Sequence, residues 1–173
     1  MNVEHAKFLT EHYANMLEGE GKTTARVLAA VPENGRDYRP DPKSRTAWEL
    51  TTHLALGDVW FLDSIIAGKF DMDPEGEKQM AAKFKTVKDV VDFYNREFPA
   101  KLKQLRALPI EKLTKTVDFF GLFQWPNVSY LGFANNHSIH HRGQLAAYIR
   151  PSGGKVPSIY GGSADEPMPA PAS

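Results

Sequence analysis

The chain has 173 residues and no net formal charge, because 21 Lys and Arg side chains balance 21 Asp and Glu side chains. Hydrophobic residues make up 42% of it, the composition of one ordinary globular domain. The charge balance argues against a nucleic-acid partner, because phosphate binding depends on an excess of Lys and Arg. The sequence has no cysteine, so any bound metal must be held by His, Asp or Glu.

The first predicted helix covers about residues 3–31, where Leu9, Tyr13 and Leu17 recur at helical spacing. Polar residues such as Glu4 interrupt this segment, so it lacks the apolar core of a signal peptide. No stretch of the sequence approaches the length needed to cross a bilayer. We therefore expect a cytoplasmic protein that does not contact a membrane.

The second predicted helix follows a loop over residues 32–45 and begins at Thr46. Thr46 and Glu49 form a capping-box pattern, in which a hydroxyl and a carboxylate three residues later each accept a free backbone N–H. The helix is expected to run to about Ala67 and to end at Gly68.

The rest of the chain predicts two further long helices. Pro74 and Gly76, lying among acidic residues, predict an exposed loop over 71–77. Apolar residues at helical spacing then predict a helix over 87–107, kinked at Pro99. A short extended piece is expected over 116–120, and a last helix over 126–149.

Four long helices without a convincing sheet predict an all-α protein with the architecture of a four-helix bundle. The bundle should comprise residues 1–160. Residues 161–173 are rich in Pro and small residues, so they should form an extended, partly mobile tail.

Three histidines suggest a metal site. His137 and His141 lie one turn apart on the stripe of the last helix that should face the bundle core, and His53 lies beside the apolar face of the second helix. A buried imidazole without a partner costs free energy, and a shared metal ion would compensate it. The same spacing also fits core histidines that hydrogen-bond to neighbouring side chains or to buried water.

Several segments resemble a known family in order and spacing. These are the second-helix segment ELTTHLA (49–55), the run NHSIHHRGQL (136–145), YIR (148–150) and VPSIYG (156–161). Together they closely resemble the DinB-like (YfiT-like) family of metal-dependent enzymes. The resemblance implies a four-helix bundle in which His53, His137 and His141 bind a divalent metal ion, most often zinc or nickel. It also implies a small-molecule substrate and a homodimer, since family members are often dimers.

The resemblance leaves the reaction open, because the family includes thiol-dependent transferases, isomerases and proteins described as metal-dependent hydrolases. Ser138 stands where a zincin motif has its glutamate, so Asp58 and Glu49 on the second helix are the carboxylates left as candidate bases. Transfer of a low-molecular-weight thiol needs no such base, and we favour it. Hydrolysis and a non-catalytic metal-binding or ligand-binding bundle are the alternatives.

Four other polar residues admit two roles each. Asp58 could orient a metal ligand or act as a base. We favour the other role, a solvated carboxylate on the helix surface. For Arg142 we expect a salt bridge to a neighbouring helix rather than an anionic substrate. His140 is expected to make a hydrogen bond rather than to ligate metal, and Tyr160 is a candidate for reaching over the metal pocket.

Overall fold

A computed structural model describes residues 1–168 of the chain. Its main feature is a bundle of four long helices, in which α1 and α2 each pack against both α4 and α6. This confirms the predicted fold class. No helix within the described residues is long and apolar enough to cross a membrane. The elements are α1 (Val3–Ala29), a 3-10 turn (Glu33–Gly35), α2 (Ala47–Ala67), α3 (Pro74–Ala81), α4 (Val87–Arg106), α5 (Ile110–Thr114), β1 (Thr116–Phe119), β2 (Phe123–Pro126) and α6 (Ser129–Ile149).

Helix α2, which carries His53, begins and ends as its sequence predicts. The Thr46 hydroxyl accepts the Glu49 N–H at 3.1 Å, and the Glu49 carboxylate accepts the Thr46 N–H at 2.7 Å. Gly68 ends the helix with a left-handed φ of 73°, which costs glycine little because it has no Cβ. Local sequence therefore sets both ends of the helix, and with them the position of His53.

Residues 71–77 are largely exposed, as predicted, but the loop assignment was wrong from Pro74 onward, where helix α3 begins. The Asp73 carboxylate accepts the Gly76 N–H at 2.9 Å and caps α3, whose first residue is Pro74. Proline is favoured at this position, where its missing N–H has no helical partner to lose. Pro99, in contrast, lies inside α4 without ending it, and its ring is exposed.

The predicted extended piece is the first strand of a hairpin that the sequence analysis did not anticipate. Strands β1 and β2 pair antiparallel, with Thr116 opposite Pro126 and Phe119 opposite Phe123. Tyr130 of α6 donates a hydrogen bond to the Val117 carbonyl at 2.7 Å, which ties the hairpin to the bundle. Because β2 occupies residues up to Pro126, α6 begins at Ser129, later than predicted.

The described part of the C-terminal tail contains a turn, in which the Ser163 N–H donates to the Glu166 carbonyl at 2.9 Å, and is held to the bundle by ion pairs. Glu166 pairs with Arg26 of α1 at 2.6 Å, and Asp165 pairs with Arg150 at 2.7 Å. The remainder of the predicted tail, residues 169–173, lies outside the described residues.

Candidate metal centre

The bundle brings the three predicted ligands together between α2 and α6. One ring nitrogen from each of His53, His137 and His141 lies within 4.8 Å of the other two, and all three side chains are partly buried. The Nε2 atoms of His53 and His141 are 3.3 Å apart. Two nitrogens that bind the same tetrahedral ion at about 2.0–2.1 Å lie roughly 3.3–3.4 Å from each other. The observed spacing therefore fits a shared divalent metal.

The His137 ring of α6 crosses α2 at a glycine, Gly57. A Cβ added to Gly57 would lie 2.9 Å from His137 Cε1, closer than side-chain carbons normally approach. A larger residue at this position would push the ring away from His53 and His141. Gly57 therefore provides the space that lets the three rings converge.

Each ring has a hydrogen-bond acceptor beside its Nδ1 atom. The His141 Nδ1 lies 2.8 Å from Gln144 Oε1, the His53 Nδ1 lies 3.7 Å from Glu77 Oε1, and the His137 Nδ1 lies 3.9 Å from Asp58 Oδ1. An acceptor at this position favours the tautomer with the proton on Nδ1, which leaves the Nε2 lone pair free to bind a metal. The hydrogen bond to Gln144 thus favours the ligating tautomer of His141, whereas the carboxylates beside His53 and His137 lie beyond hydrogen-bond distance of the rings.

The electrostatic environment also favours neutral imidazole. Burial, together with the charge of Arg45 and the other two histidines, lowers the pKa of His53 to about 3. Burial also lowers the pKa of His141, although its hydrogen bond to Gln144 opposes that effect. Neutral imidazole is the form that binds metals, so His53 keeps this form well below neutral pH, and the pKa shift of His141 has the same direction.

Asp58 is buried behind His137, so the expectation of a solvated carboxylate was wrong. Its Oδ2 atom accepts hydrogen bonds from Tyr94 at 2.9 Å and from Ser138 at 2.8 Å. Burial and the neighbouring Asp58 raise the pKa of Tyr94 well above its usual range, so the phenol keeps the proton that it donates. In contrast, Asp58 Oδ1 and His137 Nδ1 are both buried without a hydrogen-bond partner. A small shift of the ring would join these two atoms and orient His137.

Arg142 makes the salt bridge expected of it, with Glu20 of α1, and is almost completely buried. Its guanidinium also donates to Thr24 at 3.3 Å and to the hydroxyl of Tyr160. Tyr160 in turn donates to Glu20 at 2.9 Å, so its hydroxyl joins this cluster rather than covering the three histidines. His140 is exposed on α6, outside the three-histidine group.

A cavity of about 640 Å³ adjoins the three histidines, with His53 and His137 at its wall. Its walls are mostly apolar and come from α2, α3, α4, α6 and the hairpin. The sequence pattern does not reveal this cavity, because it predicts a loop in place of α3 and a single extended piece in place of the hairpin. The density of aromatic residues over 119–125 was the available signal. A cavity of this size and lining is typical of a small-molecule site.

Comparison with known proteins places the chain in a family. A model of the DinB family matches residues 1–170. The chain belongs to the DinB family. It is 24% identical over 159 residues to YrdA of Bacillus subtilis, an uncharacterized protein, and the match covers 90% of each chain.

Two solved structures of DinB-like proteins have the same fold. One, from Bacillus cereus, is 23% identical with a TM-score of 0.70, and the match covers 87% of this chain and 97% of that protein. The other, YjoA from Bacillus subtilis, is 21% identical with a TM-score of 0.64, over 82% of this chain and 92% of the other. These similarities support the bundle architecture.

Proposed function

We propose that this DinB-family protein is a metal-dependent enzyme that acts on a small molecule. Its metal ligands are His53, His137 and His141, and the convergence of their ring nitrogens at the wall of a cavity is the observation that carries the proposal. Three imidazole nitrogens suit zinc or nickel. A divalent ion held by them would lower the pKa of a thiol or a water molecule at an open coordination position.

The favoured reaction is transfer of a low-molecular-weight thiol to an electrophilic substrate. The thiol sulfur forms a bond to an electrophilic carbon, the leaving group departs with its bonding electron pair, and the thiol proton passes to solvent. The two carboxylates that the sequence offered as general bases are engaged elsewhere, because Glu49 caps α2 and Asp58 accepts hydrogen bonds from Tyr94 and Ser138. A reaction that needs no protein base therefore fits this chain better than hydrolysis.

Hydrolysis is the second candidate, and one observation favours it. Glu77 of α3 lines the cavity, its carboxylate is about half exposed, and Oε1 lies 3.7 Å from His53 Nδ1. To accept a proton from an attacking water, this carboxylate would have to leave His53 Nδ1 and turn into the cavity. A protein that binds a metal and a ligand without catalysis is the third candidate.

The first test concerns the metal. Full-length protein purified without nickel or chelator should bind about one divalent ion per chain, measured by elemental analysis and calorimetric titration. Replacing His53, His137 or His141 by Ala should abolish tight binding. His140→Ala is the matched control, because this exposed neighbour on α6 lies outside the group and its loss should leave the metal content unchanged. Full metal content in the His141→Ala protein would overturn the assignment.

The second test separates the reactions. Metal-loaded wild type and His137→Ala should be compared on 1-chloro-2,4-dinitrobenzene with several low-molecular-weight thiols, and on a panel of amides and esters. Thiol transfer predicts turnover that needs both the thiol and His137. Turnover of amides or esters without any thiol dependence, lost in Glu77→Gln, would instead establish hydrolysis. No metal-dependent turnover in either panel would favour the binding protein.

A further inference from the structure

The hairpin turn places a large aromatic residue in a conformation that disfavours it. Phe120 has a φ of 56° and Gly121 a φ of 72°, and the Leu122 N–H donates to the Phe119 carbonyl at 3.0 Å. Two central residues with positive φ define the type I′ turn, which prefers Asn, Asp or Gly at both positions. Phenylalanine at the first of them strains the backbone, because its Cβ crowds the neighbouring carbonyl.

Packing in the protein core does not account for Phe120. Its side chain is 41% exposed, although it lines the cavity. Its ring lies parallel to that of Trp60 of α2, with an interplanar angle of 7° and centroids 6.4 Å apart. The turn thus holds an exposed aromatic ring beside a second ring at the cavity wall.

Trp60 presents its apolar surface to the same cavity. Its indole N–H donates to the Asp71 carbonyl at 3.0 Å, which satisfies its one polar atom and fixes the ring. Phe61 and Phe133 continue the aromatic lining toward His137, and the ring centroids of Phe61 and His137 are 5.0 Å apart. A continuous aromatic surface therefore leads from the Trp60–Phe120 pair to the three histidines.

The charges around the cavity disfavour an anionic ligand. Within residues 1–168, its lining contains four carboxylates, Asp63, Asp71, Asp73 and Glu77, and no Lys or Arg. Three of the carboxylates have partners, since Asp63 pairs with Lys101, Asp71 pairs with Lys69, and Asp73 caps α3. Apart from a metal ion held by the histidines, the wall therefore offers no cation to a negative ligand, whereas its apolar surface suits an uncharged one.

We propose that the Trp60–Phe120 pair binds a neutral, flat aromatic molecule with its reacting end toward His53 and His137. That the bound molecule is the electrophilic substrate rests on the proposed function, whereas the binding itself does not. Aromatic rings stack favourably on such surfaces, and the cavity volume suits a ligand of two or three rings. This explains why the turn keeps phenylalanine at a position that favours asparagine.

The test uses two fluorescent probes that share an aromatic framework and differ in charge. N-phenyl-1-naphthylamine is neutral, and 8-anilinonaphthalene-1-sulfonate carries a sulfonate. Titration of the metal-free full-length protein should show saturable binding of the neutral probe, with at least tenfold weaker binding of the anion. Phe120→Asn should weaken binding of the neutral probe at least tenfold. The same substitution should leave the melting temperature unchanged or raise it, since Asn suits the positive φ.

Leu122→Asn is the matched control, because Leu122 lies in the same turn, is 75% exposed and does not line the cavity. It should leave probe binding unchanged. Equal affinity for the two probes, or wild-type binding of the neutral probe by Phe120→Asn, would overturn the proposal. So would a loss of thermal stability in Phe120→Asn together with the loss of binding, since that would make Phe120 a structural residue. Because the titrations use metal-free protein, a failure of metal binding counts against the proposed function alone.

Discussion

Helix α6 carries two polar pairs at the same four-residue spacing, and their environments differ. Ser138 and Arg142 face α1, are 3% and 1% exposed, and hydrogen-bond to side chains around them. His137 and His141 are one position earlier, face α2 and are partly buried, with their ring nitrogens directed at each other and at His53. The first pair is hydrogen-bonded within the protein, whereas in the second the Nε2 atom of His141 faces the Nε2 atom of His53 across 3.3 Å, a spacing that suits a shared metal ion or one imidazole–imidazole hydrogen bond.

The comparison shows that residue spacing alone does not separate a structural polar pair from a ligand site. The neighbouring helix decides, because α1 supplies Glu20 and Thr24 to the first pair, whereas α2 supplies the third imidazole to the second. Asp58 connects the two pairs, with one oxygen on Ser138 and the other facing His137. Substitutions around the Ser138–Arg142 pair should therefore affect folding, whereas substitutions around the His137–His141 pair should affect metal binding.

The largest effect is expected on the stability of the fold, at the buried Arg142. Arg142→Met should lower the free energy of unfolding by about 3–5 kcal/mol, because it leaves the largely buried Glu20 carboxylate without its partner. Urea unfolding measures the loss. Arg150→Met is the control, since its ion pair with Asp165 is exposed and should contribute no more than about 1 kcal/mol. Similar small losses in both proteins would show that the Arg142 cluster is not a structural centre.

Asp58→Asn should lower metal affinity by about 10–100-fold. The Asn amide can still accept from Tyr94 and Ser138, but its NH2 group then faces His137 Nδ1. A donor there disfavours the tautomer that leaves Nε2 free to bind the metal. Calorimetric titration measures the change. Asp63 lies on the same helix but pairs with Lys101, so Asp63→Asn should bind metal as wild type does, and an equal loss in both variants would contradict this role.

Gly57→Ala should separate folding stability from metal affinity in a single substitution. The metal-free protein should be as stable as wild type or more so, because Ala favours a helix by about 1 kcal/mol over Gly. Metal affinity should fall roughly tenfold, since the new Cβ displaces the His137 ring and orientation controls ligation.

Gly143→Ala on α6 is the matched control for Gly57→Ala. A Cβ at Gly143 has nothing within 4 Å, so this variant should gain helix stability and keep its metal affinity. Urea unfolding and metal titration of both proteins measure the two effects. Wild-type metal affinity in Gly57→Ala would show that the space beside His137 is not needed.

The smallest effect near neutral pH is a pH dependence of the stability of the metal-free protein. The pKa of His53 is about 3 in the folded state and about 6.5 in an unfolded chain, so the unfolded state binds the extra proton between these values. Stability is therefore complete above about pH 6.5 and falls as the pH drops toward 3, by about 1 kcal/mol over the first pH unit. Urea unfolding in chelator at a series of pH values measures the slope. His53→Gln should reduce it, and an unchanged slope would contradict the assignment to His53.

The sequence by itself determined the features that depend on neighbouring residues. The capping box and Gly68 set the ends of α2, and the four-residue spacing placed His137 and His141 on one face of α6. The position of His53 beside the apolar face of the second helix made it the third ligand candidate, and the family motifs implied the same three residues. These inferences succeed because helix ends and faces follow from interactions within a few positions of each other along the chain.

Only the tertiary structure decided which polar residues are exposed, which are paired and which keep polar atoms without a hydrogen-bond partner. Asp58 looked like a surface carboxylate, and its burial depends on Tyr94 and Ser138, which are 36 and 80 positions away along the chain. The cavity likewise needs α3 and the hairpin to lie over α2, and Phe120 to turn toward Trp60. Such contacts join segments far apart in sequence, and their free energy depends on burial and mutual geometry that no local pattern encodes.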